Sequence, residues 1–287
     1  GEIPFANRVP PKTLEKWREL GIVPRGAMRE IMEIMHRTHM GVDQDHENMV
    51  KQCSRTALAD GWGGSMVATE VSDILFGTPS PVLAGVDMGY LDEKQVNIIV
   101  NGHEPNLFES LIASVNDPKL LEEAKGAGAE GINILGMCCS GAEVLCRHGI
   151  PHAGNFMSTE AVLITGAVDA MAVDVQCIKP ALAPLADCYG TKFFTTNPRA
   201  RMEGAEHIEF EEHHPRKCTD KVVKEGIKRF KNRTAKIVIP QNRSLGIHGF
   251  SHEYINYMLG GSYRGSFRPL NDAIAAGRHA GQRVDPR

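Results

Sequence analysis

The stretch Ile132-Asn133-Ile134-Leu135-Gly136-Met137-Cys138-Cys139-Ser140-Gly141 passes from an apolar run, through a glycine, to two adjacent cysteines. The run reads as a strand over Gly131–Gly136, with the thiols just beyond its end. Successive side chains on an extended segment point to opposite faces, so one thiol can enter a site while its neighbour faces elsewhere. Two more apolar runs have the same form. Val96–Val100 is followed closely by His103, and Ala170–Val175 by Cys177. Parallel strands of an open α/β sheet bring their C-terminal ends to one edge, where ligands bind. His103, Cys138, Cys139 and Cys177 are therefore expected to converge there.

Working outward, strands alternate with helices from Val96 onward, which predicts a parallel sheet with right-handed crossovers. Helices are expected over Pro105–Val115, Lys119–Gly126, Gly141–His148, Ser158–Gly166, Pro180–Asp187 and Asp220–Asn232. Further strands are expected at Lys192–Thr196 and His207–Phe210. After Phe250 the pattern turns helical again over His252–Met258, followed by a glycine-rich turn over Gly260–Gly265 and a short helix over Leu270–Ala276. Ahead of the first strand, residues 1–80 carry only helical patterns: Lys12–Leu20, Ala27–Met40, Asn48–Asp60 and Met66–Phe76. The fold expected is a Rossmann-like α/β domain over residues 81–287, a parallel sheet with flanking helices, preceded by a small helical layer over residues 1–80.

Composition narrows the function. The chain has 287 residues, 42% apolar and 23% charged, with a formal net charge of −3. A nucleic-acid binder would favour a basic face, and no run approaches the roughly 18 apolar residues of a membrane span. Gly1-Glu2-Ile3-Pro4 lacks the basic and apolar regions of a signal peptide. The seven cysteines, an odd number with no scaffold spacing, read as reduced thiols or metal ligands in a cytoplasmic protein. Cys53 and the methionines of the helical layer are expected to fill a core, as are Cys146 and Cys188.

Rival chemistries are weaker. Gly126-Ala127-Gly128-Ala129-Glu130-Gly131 has the glycines of a dinucleotide loop, but a helix precedes it and a strand follows, the reverse of what a pyrophosphate site needs. Cys139-Ser140-Gly141 lacks the flanking glycines of a nucleophile elbow. A Cys–His nucleophile pair remains conceivable, because a helix N-terminus lowers a thiol's pKa. Glu211-Glu212-His213-His214 reads as a solvated loop. Thiolates with an imidazole favour zinc or iron–sulfur chemistry over hard cations, and the absence of any CxxC pair fits a structural zinc site poorly.

Longer motifs add a resemblance. Val96-Asn97-Ile98-Ile99-Val100-Asn101-Gly102-His103, Gly131–Gly141, Glu143–Pro151, Thr165–Cys177 and Gly261–Ala273 together resemble the anaerobic nickel–iron carbon monoxide dehydrogenases. The hybrid-cluster proteins are a related group that uses glutamate ligands where this chain has paired cysteines. The resemblance implies an oxidoreductase that interconverts carbon monoxide and water with carbon dioxide, two protons and two electrons at a C-cluster of the NiFe4S4 type. It implies that His103 and Cys139 hold the cluster's attached iron and that Cys177 holds one iron of its cube. Cys138 would assist assembly or rearrangement of the cluster.

The resemblance also implies an electron-transfer partner such as a ferredoxin, and a homodimer for the full-length proteins. Those are about twice this length and carry further cubane clusters, further C-cluster cysteines and an acid/base lysine that find no match here. The expectation is a fragment whose cluster is incomplete or absent and which is inactive alone. Its rivals are a cluster-free fold and a zinc or iron–sulfur protein of the same fold.

Overall fold

The computed structural model describes residues 9–251. The chain divides into two compact units, Gly1–Thr78 and Pro79–Arg287.

The first unit is helical. Helix α1 (Pro11–Leu20) starts on a proline, whose missing N–H is no loss at that position, and stops at Gly21 in the left-handed region, φ 67°. Helix α2 spans Ala27–Arg37, and α3 (His46–Asp60) is capped by the Asp45 carboxylate, which accepts from the N–H groups of Glu47 and Asn48. A π-helical turn, Gly61–Val67, leads into α4 (Ala68–Phe76). The centre of this unit is ionic. Glu30 is fully buried and accepts from Arg25 Nε at 3.0 Å, Gln52 Nε2 at 2.9 Å and Arg55 Nε at 3.3 Å. Because α2 turns Glu30 inward, its opposite side carries Met28, Met32 and Met35 outward. Cys53 is exposed as well, so the expected filling of a core by Cys53 and these methionines is not what the fold does.

The second unit is an eight-stranded sheet. In chain order its strands are β1 (Val82–Val86), β2 (Val96–Asn101), β3 (Ile132–Met137), β4 (His152–Gly154), β5 (Val168–Val173), β6 (Lys192–Thr195), β7 (Glu206–His207) and β8 (Ser244–His248). Their spatial order is β7-β6-β5-β2-β3-β4-β1-β8, parallel throughout except for β8, which runs antiparallel to β1. The helices between them are α5 (Pro105–Val115), α6 (Pro118–Gly126), α7 (Cys138–His148), α8 (Thr159–Ile164), α9 (Leu182–Tyr189) and α10 (Pro215–Lys231).

Every residue of β2 and β5 is buried, the mark of central parallel strands covered on both faces. Alternation sorts their side chains into two cores. Ile98, Val100, Ala170, Ala172 and Phe194 pack with Leu107, Phe108, Val222 and Ile227 on one face. Ile99, Met171, Val173 and Phe193 pack with Leu135, Leu163 and Leu182 on the other.

Strand β5 begins and ends two residues before the span expected from sequence, which releases Asp174 and Val175 into the following turn. A strand buried on both faces has no polar alternation to mark its ends. Cys188 is exposed rather than core, because α9 turns Leu182, Ala183 and Ala186 inward and Cys188 lies off that stripe. The helices and glycine-rich turn expected beyond residue 251 lie outside the described residues. No helix among the described residues is long and apolar enough to cross a membrane.

The N-terminal ends of β2 and β5 are joined by a buried polar network. The Asp169 carboxylate accepts from Asn97 N at 2.8 Å and Arg233 Nε at 2.7 Å, and Asn97 Oδ1 accepts from Asn133 Nδ2 at 2.9 Å.

Candidate metal centre

The chain places β3 and β4 on one side of β2 and β5, β6 and β7 on the other. Where strand order reverses in this way, the loops leaving the C-terminal ends diverge and open a crevice. His103 leaves β2, Cys138 and Cys139 leave β3, and Cys177 leaves β5, so all four candidates lie on one edge of three adjacent strands.

The β2 exit is drawn tightly around one carboxylate. Asp174, almost wholly buried, accepts from His103 N at 2.6 Å and Glu104 N at 3.0 Å, and also from Val175 N. Gly102 allows this approach. Its φ is +139°, and a Cβ there would come within 1.9 Å of Asp174 Oδ1. The His103 ring is oriented too, with Nδ1 3.1 Å from the Val175 carbonyl. A carbonyl can only accept, so the proton belongs on Nδ1 and the Nε2 lone pair is left for a metal.

The other loops are tied to the same frame. Asn101 Nδ2 donates to the Cys177 carbonyl at 3.0 Å, and Ser140 N to the Gly102 carbonyl at 2.9 Å. His152 Nε2 donates to the Cys138 carbonyl at 3.0 Å. Helix α7 starts directly on the paired cysteines, and its first turn can sit close to the sheet because Gly136 and Gly141 touch backbone to backbone. Among the described residues, four non-glycine positions have positive φ, and three of them lie here: Cys138 at 57°, Gln176 at 57° and Cys177 at 50°. Such conformations cost on the order of 1–3 kcal/mol each and persist only where the surroundings impose them.

Burial and neighbouring charge act together on the thiols. Burial pushes Cys138 up to about 12, helped by the charge and hydrogen bonding of Cys177 and by Cys139 and Asp174. Burial also raises Cys139, which is the more exposed of the pair, with Cys177, Glu143 and Asp174 adding to the shift. Burial takes Asp174 to about 6 against the pull of its three N–H donors. Cys138 and Cys139 therefore resist ionisation unless a cation shares the site, and the positive end of the α7 dipole favours an anionic occupant. The Ser140 hydroxyl in that first turn is buried, with no hydrogen-bond partner among the described residues. Soft thiolates, one free imidazole nitrogen and an open hydroxyl donor suit an iron–sulfur group.

The edge is not a ready-made site for one ion. Among the described residues no three His, Cys, Asp or Glu side chains are gathered closely enough to hold a single metal. Asp174, Asn101, Gly102 and Ser140 were not singled out from sequence, although a glycine just after the β2 run was a visible signal. Cys146 is half-buried further along α7, and Glu211–His214 is exposed, as expected of a solvated loop.

Comparison with known proteins matches residues 2–281 to the Prismane/CO dehydrogenase family. Carbon monoxide dehydrogenase 1 of Methanosarcina mazei is 49% identical over 278 residues, covering 96% of this chain and 44% of that protein. A nickel-free carbon monoxide dehydrogenase from Thermococcus sp. AM4 superposes with a TM-score of 0.83 at 42% identity, covering 96% of this chain and 43% of its own. Carbon monoxide dehydrogenase IV from Carboxydothermus hydrogenoformans gives 0.82 at 42% identity, with 96% and 44% coverage. The chain thus spans less than half the length of these relatives.

Proposed function

This chain belongs to the Prismane/CO dehydrogenase family, and we propose that it forms the part of a nickel-dependent carbon monoxide dehydrogenase that presents the histidine and paired-cysteine ligands of its cluster. The observation that carries this reading is the tautomer-fixed His103 beside the Cys138–Cys139 turn and the Cys177 turn, on three adjacent strands. In this reading His103 and Cys139 hold the attached iron and Cys177 holds an iron of the cube. When bound, a nickel–iron–sulfur cluster supplies the redox and Lewis-acid chemistry that interconverts carbon monoxide and water with carbon dioxide, two protons and two electrons.

The chain's own residues supply orientation and environment. The Val175 carbonyl keeps the His103 ring turned with Nε2 outward, and Asn101 fixes the Cys177 turn. Cys138, buried one residue from the exposed Cys139, is a reserve thiol that would supply a further thiolate ligand during assembly. The remaining ligands, the homodimer and the ferredoxin-type electron acceptor belong to this proposal through the longer relatives. A cytoplasmic location accords with seven free cysteines.

The test is anaerobic reconstitution with iron, sulfide and nickel, followed by metal analysis and a dye-reduction assay under carbon monoxide. Uptake of iron and sulfide that falls in His103→Ala, Cys139→Ala and Cys177→Ala supports the reading. Stoichiometric zinc without sulfide, indifferent to His103→Ala, would overturn it. Turnover by this chain alone would show that no further ligands are needed.

A further inference from the structure

We propose that Asp174 is the positioning residue of this site, a single carboxylate that sets the backbone of the His103 loop and, through Val175, the plane of the His103 ring. The proposal rests on the cluster reading above. Asp174 acts in this role through the backbone, its oxygens accepting from three backbone N–H groups.

The argument is geometric. Two of those N–H groups belong to residues 70 and 71 positions away in sequence, on the exit of the neighbouring strand, so the carboxylate stitches the crevice where β2 and β5 part. Its contact with His103 N places the Cα from which the imidazole projects. Its contact with Val175 N anchors the residue whose carbonyl receives the Nδ1 proton at 3.1 Å. Position and rotation of the ring therefore depend on the same side chain. Gly102 completes the device, because any Cβ there would meet the carboxylate. Partners that orient a ligating histidine are typically worth 10–100-fold in metal affinity. Replacement by asparagine keeps the shape but turns an NH2 group toward an N–H donor, so at least one of the three contacts is lost.

The experiment uses the whole chain, wild type and Asp174→Asn, reconstituted anaerobically with ferrous iron and sulfide. Three quantities are read: apparent iron affinity, the nitrogen coupling of an imidazole-ligated iron in pulsed EPR, and amide exchange of the metal-free proteins. The expected result is a 10–100-fold fall in affinity with loss of the imidazole coupling, and no further fall when Asp174→Asn is added to His103→Ala. Wild-type coupling in Asp174→Asn, or an equal loss in the His103→Ala background, overturns the proposal. If the wild type takes up no iron and sulfide, the cluster reading fails on its own. The clamp is then judged by exchange alone, upheld if His103, Glu104 and Val175 amides exchange faster in Asp174→Asn and refuted if they do not. Should Asp174→Asn not fold, Gly102→Ala keeps the carboxylate but displaces it and is read against the same outcomes.

Discussion

Gly141→Ala sets two effects of known size against each other. In a helix, replacing glycine by alanine ordinarily stabilises by about 1 kcal/mol, because the unfolded chain loses freedom and the helix gains a better former. At position 141 the new Cβ would lie 2.6 Å from Gly136 C, 2.8 Å from Gly136 Cα and 3.1 Å from His152 Cδ2. Two of these neighbours are backbone of a buried strand and cannot rotate aside. Restoring ordinary contact requires α7 to lift from β3 by about 0.8 Å, and strain of this kind costs roughly 1–3 kcal/mol. The clash should therefore cancel or exceed the propensity gain, leaving a net loss of about 0–2 kcal/mol.

The larger effect falls on the site, because α7 carries Cys138 and Cys139 with it. A displacement near 1 Å can cost on the order of 100-fold in function. Differential scanning calorimetry and iron–sulfide uptake measure the two parts. Gly126→Ala, at the exposed end of α6 with nothing within 4 Å of its Cβ, is the reference and should gain up to about 1 kcal/mol. A Gly141→Ala protein as stabilised as Gly126→Ala, with wild-type uptake, would refute the close-contact argument.

Three further outcomes are expected. Removing Arg233 leaves the fully buried Asp169 carboxylate without its ion pair, so Arg233→Ala should lower stability by about 3–5 kcal/mol in urea titration; a loss under 1 kcal/mol would count against a stabilising role for the pair. Burial opposes ionisation of Glu30, but hydrogen bonds from Arg25 and Gln52 outweigh it and hold the carboxyl near 2, so its stabilisation is present above about 4.5 and lost as pH falls toward 2. That contribution is on the order of 3 kcal/mol; Trp17 and Trp62, the chain's two tryptophans, lie in the same unit, and their fluorescence should report acid unfolding over this window and a flattened profile in Glu30→Gln. With iodoacetamide at pH 8, exposed Cys53 and Cys188 should alkylate well before Cys218, which burial raises to about 11, and Cys138, raised to about 12; equal rates by mass spectrometry would contradict the burial described.

How much of this was legible depended on what each segment packs against. Val96–Val100 and its two companions announced themselves because strands buried on both faces must be apolar without interruption. Strand β1 was missed because Gly85 breaks its run, where a Cβ would meet the Tyr90 ring at 2.3 Å. Strand β8 was missed because an edge strand with polar ends and a central glycine has no pattern to show. In the site, the soft donors could be read because each follows a strand at a similar distance. Asp174 and Asn101 could not, since their partners lie some seventy residues away and exist only once β2 and β5 are neighbours. In the helical unit the helical pattern over Ala27–Met40 located α2, but the residue it buries is Glu30, chosen by ion pairing rather than by apolarity.

The pairing of β2 with β5 has a consequence for the order of events in folding. The two strands are adjacent in space, yet β3, β4 and the helices around them are made in between. A growing or refolding chain can build β2, α5 and β3 from local contacts, but β5 has to close a loop of about seventy residues before it docks, and such long closures slow folding. Until then the His103 loop has no carboxylate to wrap, and Cys177 is not yet beside the paired cysteines. The pocket is thus a late product of folding, and metal delivered during synthesis would meet isolated thiols before it could meet a site.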